Sequence, residues 1–120
     1  MEFDDVLPLS IGLRINNPKQ PGRQNMLMDP IIPKDTKFPC EMTKTYYTRP
    51  FQEEATIPVM QGEAKLAKDC HLIKEDTLRV PKVSVASAVT VTYKIDENGI
   101  LQCSAAVTTD PNNPVVIEVD

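Results

Sequence analysis

Proline limits this chain more than any other residue. Eleven of its 120 residues are proline. A ring that fixes φ and removes the N–H breaks a helix interior. Pro8, Pro18, Pro21, Pro30, Pro33, Pro39, Pro50, Pro58 and Pro81 interrupt most windows long enough for a helix. The longest proline-free stretch, Lys82 to Asp110, is also the most strand-like. There Ala86, Val89, Val91, Tyr93 and Ile95 alternate, after one irregular step, with Ala88, Thr90, Thr92 and Lys94. Period two with β-branched enrichment marks a strand. Asp96-Glu97-Asn98-Gly99 follows as a turn, and Leu101, Cys103, Ala105 and Val107 then alternate with Gln102 and Ser104. The pair is a β-hairpin.

The same reading extends outward. Val6 to Ile15 is a strand, and Asn16 to Asn25 a long exposed loop rich in turn residues. Met26 to Ile32 and Lys37 to Tyr47 are strands joined by Pro33-Lys34-Asp35-Thr36. Glu54 to Glu63 is a strand with a bend at Gly62. Pro58 cannot donate to a ladder, so this strand is an edge or carries a bulge. Leu72 to Leu78 is a weaker strand, Lys65 to His71 holds at most one helical turn, and Val115 to Val119 closes the chain. About eight short strands with regular turn signals make an all-β antiparallel sandwich or barrel. No linker divides the chain, so residues 1–120 are read as one domain.

Composition removes several functions. The charge sum of −4 and the lack of clustered Lys and Arg argue against nucleic acid. No apolar run approaches the roughly 20 residues of a membrane span, and no secretory signal opens the chain. Cys40, Cys70 and Cys103 lie about thirty residues apart with no CxxC pair, which reads as free thiols in a reducing compartment. His71 is the sole histidine. Neighbours on an extended chain point to opposite sides, so Cys70 and His71 do not form a catalytic dyad. A lone His with scattered Cys makes no metal site. The residues therefore describe a non-enzymatic β domain, a binding module without catalytic residues, metal or cofactor. A small sandwich with exposed apolar residues takes an extended peptide through main-chain hydrogen bonds and side-chain pockets. Leu13, Ile15, Tyr46, Ile57 and Val89 are candidates for such a pocket, or for plain core.

Four blocks carry a resemblance: Asp5 to Leu13 (DVLPLSIGL), Ile32 to Pro39 (IPKDTKFP), Val59 to Glu63 (VMQGE) with Lys68-Asp69-Cys70, and Val91 to Leu101 (VTYKIDENGIL) with Ser104-Ala105. Together, in this order, they resemble the substrate-binding β domain of heat-shock protein 70 (DnaK-type) chaperones, as a divergent member. The resemblance implies a two-sheet sandwich of eight strands that binds short, extended, hydrophobic segments of unfolded polypeptide. It implies a pocket lined by Leu13, Tyr46, Ala55, Ile57 and Val89, with Ile15 beside it. It implies main-chain pairing near Leu13 to Asn16 and Tyr47 to Arg49. An arch over the peptide falls near Asn16 and Arg49, where polar and charged side chains clamp weakly or select acidic flanks. Ala55 stands in place of a typical valine, and Pro18 to Asn25 resembles an insertion.

By the same resemblance the chain is a fragment, with residues 1–5 the remnant of an interdomain linker. The ATPase domain, its ATP and a helical lid belong to a cytoplasmic, stress-responsive parent. The implied partners are that ATPase domain, J-domain co-chaperones and nucleotide exchange factors. Self-association is also expected, with the extended Val115 to Val119 segment entering a neighbour's groove. The alternative is a degenerate sandwich kept as a docking module without chaperone peptide binding.

Overall fold

A computed structural model describes residues 6–119; the expected linker remnant, residues 1–5, lies outside them. Eight strands form: β1 (Ile11–Ile15), β2 (Leu27–Ile32), β3 (Cys40–Tyr47), β4 (Glu54–Gln61), β5 (His71–Arg79), β6 (Ala88–Ile95), β7 (Leu101–Val107) and β8 (Val115–Val119). They make two antiparallel four-stranded sheets, ordered β2-β1-β4-β5 and β3-β6-β7-β8. The architecture is the expected all-β sandwich. Short 3-10 turns at Arg23–Asn25 and Ala67–Asp69 are its helical segments among the described residues.

Alternation places the core. Val89, Val91, Tyr93 and Ile95 of β6 and Leu101, Cys103, Ala105 and Val107 of β7 are buried. They face Ile11, Leu13, Ile57 and Val59 of the other sheet. Burying that many apolar side chains at about 1.5–3 kcal/mol each is the main force closing the two layers. Among the polar bonds that cross between them, the Tyr93 hydroxyl donates to the Gly12 carbonyl at 2.6 Å. Gly12 sits at a register shift between β1 and β2, and a Cβ there would lie 2.0 Å from the Asp29 carbonyl oxygen. Only glycine permits that approach of two backbones.

Two local expectations change in the structure, and a third is decided between its alternatives. The expected first strand shortens: Val6 instead makes an isolated bridge with Lys37, the residue that was to open the third strand. Pro8 and Pro39 remove the N–H groups that would have extended both ladders. β4 is not an edge. It lies between β1 and β5, its pairing with β1 ends at Val59, and its register with β5 shifts between Val59 and Met60. Pro58 thus sits beside both irregularities, and the missing donor is accommodated inside a sheet. Val115–Val119 is not a free tail. It pairs along β7 as β8, with Ile117 and Val119 buried, so donating it to a neighbour would strip the sandwich of an edge strand.

The outer face of the first sheet carries a second small core of Met28, Met60 and Ala67, with Met26 and Cys70 against it. Met28 N–H donates to the Lys65 carbonyl and Ala67 N–H to the Met26 carbonyl, both at 2.9 Å. These bonds fasten the end of the long first loop to the sheet.

Candidate functional site

The site begins where a ladder stops. β1 pairs with β4 at Ile11, Gly12 and Leu13 only, although β1 runs on to Ile15 and β4 starts back at Glu54. Beyond Leu13 and Val59 the two strands part, and their facing main-chain groups have no ladder partner. An open groove of about 790 Å³ lies there. Such a volume falls within the roughly 300–1,000 Å³ of ligand sites.

Seven of the eight residues named from the sequence border this groove: Leu13, Ile15, Asn16, Tyr46, Arg49, Ala55 and Ile57. Leu13 and Ile57 are buried and show it only their edges, whereas Ile15, Tyr46 and Ala55 are half-buried walls. Asn16 and Arg49 are exposed at its rim. Val89 is the exception. It lies opposite Tyr46 in the β3–β6 ladder and is buried in the core, not on the groove surface. Its inward register was legible, but the presence of β3 between it and the opening was not.

Other lining residues were not found from sequence. Arg14, Thr56 and Pro58 point to the outer face of the first sheet, opposite Leu13 and Ile57. They border the same groove because the sheet is split at this point, so both faces meet one opening. Pro18, Pro21 and Met26 reach it from the long first loop. The run of turn residues in that loop was the available signal, since loops near strand ends commonly carry binding residues.

Polar groups around the groove are mostly committed. Arg14 Nη2 lies 3.3 Å from Glu75 Oε2, while its buried Nε has no hydrogen-bond partner among the described residues. Thr48 N–H donates to the Ser87 carbonyl at 2.9 Å, and Arg49 N–H to Gln52 Oε1 at 3.0 Å. The expected main-chain edge at Tyr47 to Arg49 therefore has two of its donors already used. Tyr46 donates its hydroxyl to Asp29 Oδ2 at 2.6 Å. Burial first, and the Asp29 carboxylate second, hold that phenol well above its usual range.

Nothing in this arrangement is a nucleophile–base pair. Cys70 Sγ contacts the Ala64 carbonyl at 3.5 Å on the outer face, and His71 is exposed at the start of β5. Among the described residues no three His, Cys, Asp or Glu side chains converge as metal ligands. No helix there is long and apolar enough to cross a membrane.

A split sandwich bordered by these residues is one part of the pattern; comparison with known proteins supplies the rest. The family model described as Hsp70 protein matches residues 1–119. This chain belongs to the Hsp70 family. Over 104 residues it is 35% identical to a "Chaperone protein HscA homolog" of Pseudomonas paraeruginosa, covering 84% of this chain and 16% of that protein. The homolog of Azotobacter vinelandii is 36% identical over the same share of each chain. That of Ralstonia pickettii is 34% identical over 107 residues, 87% of this chain. The chain thus spans about 16% of the length of these curated relatives. Hsp70 membership agrees with the family resemblance of the four sequence blocks.

Proposed function

We propose that the groove holds a short, extended, apolar segment of an unfolded polypeptide, as the substrate-binding part of an Hsp70 chaperone. The observation that carries this reading is the interrupted β1–β4 ladder, which opens directly onto Leu13, Ile15, Tyr46, Ala55 and Ile57. Unpaired strand backbone next to apolar walls suits a stretched chain, which supplies main-chain partners and one bulky side chain. Burying that side chain contributes about 1.5–3 kcal/mol, and each backbone bond about 1 kcal/mol net. Ordering the peptide consumes part of this, so a Kd in the micromolar range, roughly −8 kcal/mol, is the expected scale.

ATP hydrolysis, J-domain co-chaperones and nucleotide exchange factors are assigned in this proposal to the remainder of a longer parent protein. Three unpaired cysteines suit a reducing, cytoplasmic setting for it.

The test is a titration of a fluorescent, leucine-centred heptapeptide. Saturable micromolar binding is expected, with at least about a tenfold loss in Ala55→Arg, which places a long cation in a half-buried wall. Absence of binding up to millimolar peptide, with the fold intact by circular dichroism, would overturn the reading in favour of a docking module.

A further inference from the structure

The open flank of the sandwich is bridged by one polar cluster. β2 and β3 are edge strands of different sheets, running alongside each other without a ladder between them. Asp29 lies directly across from Leu13 in the β1–β2 register, so its side chain stands on the inner face, toward β3. From β3, the Tyr46 hydroxyl donates to Asp29 Oδ2 at 2.6 Å. Lys44 Nζ lies 2.7 Å from the same oxygen and 2.9 Å from Oδ1. The ammonium also stands 5.9 Å from the centre of the Tyr46 ring.

Tyr46 is a wall of the groove, and Asp29 is not in contact with the groove at all. We propose that Asp29 is a positioning residue for ligand binding: through its bond to the hydroxyl it holds the Tyr46 ring against the captured segment. The inference rests on the groove being the peptide site. Two torsions orient a tyrosine ring, and a bond at its far end restrains both. A carboxylate acceptor makes that bond charge-assisted and stronger than a neutral one. Lys44 Nζ compensates the carboxylate's charge, so the acceptor presents no net charge to the groove. Without the bond the ring retains its volume but is free to swing, and a wall that swings releases its ligand sooner. An inward charge on an edge strand also discourages edge-to-edge pairing; that role affects solubility and not the lifetime of a bound peptide.

Stopped-flow binding of the leucine-centred heptapeptide separates these roles. In Tyr46→Phe and in Asp29→Ala the dissociation rate is expected to rise about five- to tenfold, with a smaller change in the association rate. The double variant is expected to be no faster than the faster single one, because both remove the same bond. Asp29→Asn, which keeps an oxygen acceptor, recovers most of the difference. Unchanged dissociation in folded Tyr46→Phe, or effects that multiply in the double variant, would overturn the inference while leaving the groove reading intact. If Asp29→Ala does not fold, Tyr46→Phe against Asp29→Asn decides the same point. If the unaltered chain fails to bind the peptide at all, the groove reading fails and this inference with it.

Discussion

Cys103 shows how one buried side chain sets a pH limit on the fold. Its thiol is enclosed between the sheets, and burial pushes its pKa up to about 12 from the 9.0 of an open thiol. Tyr93 beside it and Tyr46 at the groove are shifted upward as well, burial again being the main cause. For each, the folded state holds its proton more tightly than the unfolded chain does. Their contribution to stability is therefore complete below about pH 9 and is lost as pH climbs from there toward 12. Urea unfolding midpoints should be level between pH 7 and 8.5 and fall above pH 9.5. In the same state Cys103 should resist iodoacetamide at pH 8, and react only once the chain is unfolded. Alkylation of native Cys103 at the rate of a free thiol would contradict its burial.

Among the elements, the β6–β7 hairpin is the most locally determined. Its turn was read from Asn98-Gly99, and Gly99 does adopt a positive φ of 79°. The bonds that close the turn come from Asp96, however, whose Oδ1 accepts from both Asn98 N–H and Ile100 N–H at 2.9 Å. Asp96→Ala should cost about 1–2 kcal/mol in chemical denaturation, with Asp96→Asn recovering much of it; no loss on Asp96→Ala would refute the assignment. The weaker elements are legible in proportion to their burial. β5 is exposed at most of its positions and offered only a faint alternation, because one face meets solvent and the strand lies at an edge. β3, at the edge of the other sheet, is similar, with Met42 and Tyr46 packing inward.

At the scale of the molecule, charge is distributed against its own sum. The chain carries −4 overall, but the charged side chains bordering the groove are Arg14, Arg49 and Glu54. Arg14 pairs with Glu75, and the Arg49 side chain extends from the rim. Of two leucine-centred heptapeptides, one flanked by Glu and one by Lys, the first should bind about two- to fivefold more tightly at low salt. The gap should close at 0.5 M salt, where charges more than a few ångströms apart are screened. Equal affinities, or a preference for the Lys-flanked peptide, would remove the rim cations from any part in selection.

Alternation, turn residues and prolines are local properties, and they were enough to define the strands, the hairpin and the all-β class. A strand's period of two follows from its own backbone, whichever strand it meets. Which strands become neighbours is decided by contacts between residues far apart in the chain. Only the folded arrangement placed β4 inside a sheet, ended its pairing at Val59, and moved Val89 behind β3. Asp29 is the plainest case. The sequence places it within the strand Met26 to Ile32 and gives it no partner; two sheets meeting at a flank are what bring Lys44 and Tyr46 to it.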